Sequence, residues 1–239
     1  MDDGSQAICP TPDMAGDDGL LTLEEGLPAY GPVVLGLEPF PIADADGNVS
    51  FEQTFTLDDA SLDLSAHVVV LHGMTVEDEY VGSLPVACGL IMPEGSFVSE
   101  LSGANELPEP VESEGSGFAN YVITPDGDIV FTLVVNGLTD VTAAHIHLEN
   151  EGEDTGGVVA PLFSADTEEG VASNGILASG VITADDLSGA LEGMALEDLM
   201  AAMEAGETYT NVHTVTNPPG ELRGQIEAQG SAVAGDHTH

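Results

Sequence analysis

The chain has 239 residues, and 43 Asp and Glu stand against a single basic residue, Arg223, for a formal net charge of −42 at pH 7 with histidine neutral. So little Lys and Arg excludes a nucleic-acid partner, because phosphate binding needs basic side chains, and it argues against an anionic membrane surface. Hydrophobic residues are 42% of the chain and mean hydropathy is +0.12, which separates it from acidic disordered tails, where high charge goes with low hydrophobicity. The pattern is a foldable core under a carboxylate surface. Such a surface repels itself at low ionic strength, and salt relieves it, with a Debye length of about 3 Å at 1 M. This is the composition expected of a protein from a hypersaline medium, the alternative being an acidic protein that binds many cations such as calcium. No stretch reaches the ~18 apolar residues of a membrane-spanning helix. Met1-Asp-Asp-Gly4 shows neither the basic nor the apolar region of a signal peptide, so a mature chain or an upstream start is expected. The length suits one large all-β domain or two smaller ones.

Along the chain, residues 1–19 are rich in Asp, Gly and Pro and read as an irregular leader. Residues 20–93 read as strands and turns forming an N-terminal β domain. Within it, 40–57 is expected to be strand, turn, strand, with Phe51, Phe55 and Leu57 alternating with polar residues. The apolar run Ala66–His72 suits a central strand ended by Gly73. The boundary is placed near 94, and residues 94–230 form the second β domain. There, 119–124 and 129–135 flank Pro125-Asp-Gly-Asp128, a hairpin in which Pro presets φ and Gly tolerates a positive φ. Thr142–His147 and Gly157–Phe163 are further strands. Thr183 precedes first-turn acids as an N-cap. Leu196, Leu199, Met200 and Met203 share one face of a helix that Gly206 stops. Residues 208–215 and 221–228 return to strand, and 231–239 form a flexible tail. The fold class is mainly β: two β-sandwich or barrel-like units with Greek-key connections and short helices near 184–205.

The second half carries several distinctive words in order: Phe97-Val-Ser-Glu-Leu-Ser-Gly-Ala-Asn-Glu106, Ala143-Ala-His-Ile-His147, Gly206-Glu-Thr-Tyr-Thr-Asn-Val-His-Thr214 and Pro218-Pro-Gly-Glu-Leu-Arg-Gly-Gln-Ile226. Together they resemble the chordin-type CHRD domain over about residues 97–228. The resemblance implies a β-rich extracellular domain of the kind found in chordin and in exported microbial proteins. A second, narrower resemblance is to the copper/zinc superoxide dismutase β-barrel. It rests on His145-Ile-His147, the Gly-containing loop 149–157, His213 and Arg223-Gly224 standing in the same order. The chain departs from that pattern in lacking a His and Asp cluster after His147 for zinc, and a fourth copper-type histidine.

His145 and His147 are two apart on a strand, so their side chains share a face, about 6.5–7 Å apart along it. Both can reach one metal, and His213 on a later strand is the candidate third ligand. Three histidines with an open position suit copper or zinc, and the competing reading is three buried structural histidines hydrogen-bonded to backbone or carboxylates. His67 and His72 are an odd number apart and face opposite sides of a regular strand. His237 and His239 repeat the His-x-His spacing on the tail. Arg223, two residues after Glu221, reads as a buried Arg forked onto a carboxylate or carbonyls, or else as a guide for a small anion at a metal. Cys9 and Cys88 are expected to pair, which implies an oxidising compartment; the alternative is two unpaired thiols. Asp44–Asn48 has a trace of calcium-loop spacing but reads better as a turn, since Phe55 stands where an EF-hand has Glu. Asn48-Val-Ser50 is a glycosylation sequon. No Gly-x-Ser-x-Gly word and no Lys-bearing phosphate loop occurs.

These readings converge on an extracellular or cell-surface, salt-adapted module. It would engage a surface protein or a second copy of itself, with cations at its acidic surface and copper or zinc at the three histidines. The alternative is a copper-only superoxide dismutase-like enzyme with Arg223 near the site, or metal capture without turnover. Against turnover stands the net field, which repels a superoxide anion unless salt screens it.

Overall fold

The computed structural model of the protein describes residues 6–37, 52–55 and 66–229. Thr22-Leu-Glu-Glu25 opens the helix α1 (Leu23–Tyr30). Its cap is reciprocal: Glu25 N–H donates to Thr22 Oγ1 at 3.3 Å, and Thr22 N–H donates to Glu25 Oε2 at 2.8 Å. Strands and turns were expected here. The Thr-x-x-Glu spacing is a helix-start signature, and it outweighs Pro28 in this short segment.

Strands β1 (Val68–Val76) and β2 (Glu79–Leu90) form a two-stranded antiparallel ribbon. Among the described residues the apolar run at 66–72 therefore has one strand neighbour and is not a central strand. It is a partly exposed ribbon strand that continues through Gly73 as a bulge. The expected strands within 40–57, the turn Asp44–Asn48, the sequon and the tail histidines lie outside the described residues, save 52–55, which have no regular secondary structure.

Cys9 and Cys88 form a disulfide. It ties the leader to β2, while Cys9 N–H donates to Ser179 Oγ at 3.2 Å, so the leader also touches the second half.

That half is built from β3 (Phe97–Ser102), β4 (Ser116–Ile123), β5 (Ile129–Glu149), β6 (Gly156–Ser164), β7 (Val171–Ile182), β8 (Thr208–Thr214), β9 (Leu222–Gln225) and β10 (Glu227–Ala228). The expected hairpin is β4–β5. Gly127, at φ +91°, supplies the left-handed turn residue, and Thr124 and Asp128 close it, N–H to carbonyl, at 2.9 Å. The expected short strand at 142–147 is the second half of β5, which runs 21 residues. Its first half pairs with β4 and β7, its second with β6 and β8.

The order β3–β4–β5–β8–β9 returns to β3 through Ser102 opposite Arg223, closing a five-stranded barrel. At the closure β9 and β3 approach closely. A Cβ on Gly224 would lie 2.4 Å from the carbonyl oxygen of Glu100, so only glycine fits. The barrel interior holds Tyr121, Leu133, Ile146, Val212, Leu222 and Ile226. The Tyr121 hydroxyl is satisfied there by Thr210 Oγ1 at 2.8 Å.

Between β7 and β8, helix α2 (Leu196–Glu204) buries Leu196, Leu199 and Met203 against the core, with Met200 packed partly on it. Ala195 N–H donates to Asp198 Oδ2 at 3.0 Å at its start. Thr183 makes the analogous exchange with Asp186, but what it caps is a 3₁₀ turn, Ala184–Asp186. No described helix is long and apolar enough to cross a membrane.

Candidate metal centre

Period-2 alternation divides β5 and β8 between two faces. Ala144 and Ile146 of β5 and Val212 of β8 point into the core. His145 and His147, and Tyr209, Asn211 and His213, therefore point outward. Antiparallel register sets Ala143 opposite His213, His145 opposite Asn211 and His147 opposite Tyr209. The three candidate ligands thus meet on the outer face of the barrel. Their ring centroids form a near-regular triangle with sides of 5.0, 5.6 and 5.8 Å. One ligand nitrogen from each lies within 4.8 Å of the other two. Around an ion with metal–nitrogen bonds of about 2.0–2.1 Å, tetrahedral ligand atoms stand roughly 3.4 Å apart, so the triangle contracts only modestly onto an ion.

The hydrogen bonding sorts the ring nitrogens. His147 Nδ1 lies 3.1 Å from the Gly156 carbonyl and His213 Nδ1 lies 3.0 Å from that of Pro218. A carbonyl only accepts, so both Nδ1 atoms carry the proton and both Nε2 atoms keep a free lone pair. His147 Nε2, His213 Nε2 and His145 Nδ1 are buried with no hydrogen-bond partner. A buried polar atom left unpaired is costly, and here three share one spot. Among the described residues no carboxylate bonds to any of the three rings.

Burial, which disfavours the charged ring, lowers the pKa of all three. That of His145 is pushed down to about 4, with charge on His213 and His147 adding to burial. The trio is thus neutral at physiological pH. An ordinary imidazole titrates near 6.5, so between about 6.5 and 4 the unfolded chain binds more protons than the folded one, and stability falls as pH falls through that window. From pH 7 to pH 4 the denaturant midpoint of the metal-free wild type in high salt is expected to shift downward relative to that of His145→Gln. Equal slopes in both proteins would refute this. Glu106 has the opposite sign, because burial raises its carboxyl pKa. It costs stability as pH rises above the ordinary carboxylate value.

Arg223 is buried, and its guanidinium lies 3.5 Å from the centroid of Tyr209. Its carboxylate partner is not the neighbouring Glu221 but Glu149, with Nη2 donating to Oε1 at 3.1 Å. Glu221 instead accepts from Ser113, Thr214 and Asn217. Tyr209 also stacks on His147, with centroids 4.9 Å apart and planes 17° from parallel. Beside this stack opens a cleft of about 800 Å³ whose lining includes Glu100, Glu149, Asp154 and Arg223.

His67 and His72 lie on or beside the ribbon, and His72 Nδ1 is 3.1 Å from the Ser83 carbonyl. Neither joins the cluster. The sequence reading did not single out Tyr209, Asn211, Gly156 or Glu149. Tyr209 and Asn211 precede His213 by four and two, so strand alternation already put all three on one face.

A family model of the CHRD domain matches residues 97–226. The chain belongs to the CHRD domain family, and the matched span contains every residue of the histidine site. No curated protein and no solved structure matches the chain.

Proposed function

We propose that the protein is an exported, salt-adapted CHRD-domain binding module that holds copper or zinc at His145, His147 and His213. The observation that carries this reading is the convergence of three buried imidazole nitrogens with no hydrogen-bond partner. Structural histidines would find acceptors or donors for those atoms. These spend Nδ1 on carbonyls at two positions and aim the remaining lone pairs at one another. A carbonyl behind a ligating imidazole is the usual device for fixing its tautomer. The donor set is neutral and all nitrogen, which suits Cu²⁺ or Zn²⁺. Ca²⁺ and Mg²⁺ prefer oxygen ligands, and the acidic surface offers them elsewhere. Three protein ligands leave a coordination position for water or a further ligand.

The disulfide and the CHRD domain support an oxidising, extracellular or cell-surface setting. There the module would engage a surface protein or a second copy of itself. Arg223 favours this reading over dismutation. Its guanidinium is engaged by Glu149 and Tyr209, as befits a structural Arg rather than an anion guide.

The test is metal content by mass spectrometry on protein purified in high salt, beside a His145→Ala/His147→Ala variant. Near-stoichiometric copper or zinc in the wild type and none in the folded variant is expected. Wild-type protein that stays folded, metal-free and refuses added copper would sink the metal reading and leave a module of purely protein contacts.

A further inference from the structure

His147 is gripped from two sides, and both grips run through one residue. Tyr209 lies flat against the imidazole of His147. Its hydroxyl meets the Gly156 backbone on both sides, accepting from Gly156 N–H at 3.2 Å and donating to the Gly156 carbonyl at 3.4 Å. That carbonyl is the acceptor for His147 Nδ1–H. Tyr209 therefore touches the ring and also holds the peptide that fixes the ring's tautomer. Gly156 lies tight against β5. A Cβ on it would fall 1.7 Å from the Leu148 carbonyl oxygen, so the backbone passes β5 at contact distance. The far end of the arrangement is also fixed. The chain's only basic side chain sits over the Tyr209 ring and is itself held by Glu149. A protein with 43 acids and one base has placed that base where a cation–π contact secures this tyrosine.

We propose that Tyr209, clamped by Arg223, is a positioning residue of the metal centre: it holds the imidazole of His147 in the Nδ1–H form with Nε2 aimed at the ion. The inference rests on the metal reading above but concerns how the ligand is set. Outer-shell partners of ligating histidines contribute in this way to affinity, typically 10–100-fold. Tyr209 also sets the geometry of the bound ion, because a rotated His147 changes the angle at which its lone pair meets the metal.

The experiment compares wild type, Tyr209→Phe and Tyr209→Leu in high salt. Nitrogen-15 NMR of the metal-free proteins reads the His147 tautomer. Competition titration with Cu²⁺ and electron paramagnetic resonance of the loaded proteins read affinity and geometry. Wild type is expected to show His147 protonated at Nδ1 alone. Tyr209→Leu is expected to show a mixture of tautomers, a 10–100-fold weaker Cu²⁺ affinity and an altered copper hyperfine splitting. Tyr209→Phe keeps the stack and loses the tie to Gly156, so it falls between the two. A folded Tyr209→Leu protein with the wild-type tautomer, affinity and spectrum overturns the proposal. Should that variant not fold, Tyr209→Phe decides, and wild-type values in all three readouts overturn it. A wild type that takes up no copper brings down the metal reading instead. The tautomer shift in the metal-free variants then still decides whether Tyr209 positions His147.

Discussion

Glu149→Ala is expected to destabilise the protein by about 3 kcal/mol, because removing one partner of a buried ion pair strands the other charge. The Arg223 side chain is 5% exposed and that of Glu149 is 18% exposed. Arg cannot shed its proton to escape. Its remaining acceptor, Gln225 Oε1 at 3.4 Å, is neutral and long. The control is Glu204→Ala at an exposed helix position. Both variants remove one negative charge, so general repulsion changes equally, and an exposed substitution should stay within about 0.5 kcal/mol of wild type. Chemical denaturation with urea in high salt measures both. Urea is the right denaturant because it leaves ionic strength unchanged. Equal midpoints for the two variants would show that the pair contributes nothing beyond any other surface acid. Arg223 is also the clamp on Tyr209, so Glu149→Ala should loosen the metal site, and a weaker Cu²⁺ affinity should accompany the loss of stability.

Loss of the Cys9–Cys88 bridge is the second large effect. The two cysteines are 79 residues apart in sequence, and for a loop of that size the chain-entropy model gives about 4 kcal/mol. Cys9 is fully buried. Around it the leader's backbone N–H groups are bonded: Ala7 to the Ala66 carbonyl, Ile8 to that of Ala29, and Cys9 to Ser179 Oγ. Among the described residues the ribbon that the bridge reaches has two strands, a unit marginal by itself. Cys9→Ser/Cys88→Ser is therefore expected to melt α1 and the β1–β2 ribbon at lower temperature while the barrel keeps its own transition. Calorimetry would resolve two transitions in the variant. A single transition at the wild-type temperature would show that the bridge is dispensable. The histidine site lies wholly on the barrel, so its metal affinity should survive this change, in contrast to Glu149→Ala.

How much of this was legible in the sequence depends on the range of each interaction. The β4–β5 hairpin was, because Pro125-Asp-Gly-Asp128 writes the turn locally. So was the apolar face of α2. The run at 66–72 misled, since hydrophobicity by itself does not distinguish a strand with neighbours on both sides from one in a ribbon. Helix α1 was missed although Thr22 and Glu25 wrote its cap, because an eight-residue helix with an internal proline has little periodicity to display.

At the site, that His145 and His147 share a face follows from strand geometry and was fixed within three residues of chain. That His213 meets them was decided by the β5–β8 register, a pairing across about 70 residues that local pattern does not specify. The carbonyls of Gly156 and Pro218 come from the start of β6 and from a loop, and no side chain announces a carbonyl. The same holds for Arg223. Its type and isolation announced a buried, paired cation, and composition announced the acidic surface. Its partner was chosen by space: Glu221, two residues away, is taken by Ser113, Thr214 and Asn217, whereas Glu149, 74 residues away, is brought across β8 by the β5–β8 and β8–β9 pairings to within 3.1 Å. Sequence determines what alternation and charge can express over a few residues. Which of those groups meet is settled by strand register and barrel closure, because contacts between distant segments form only once the whole sheet is paired.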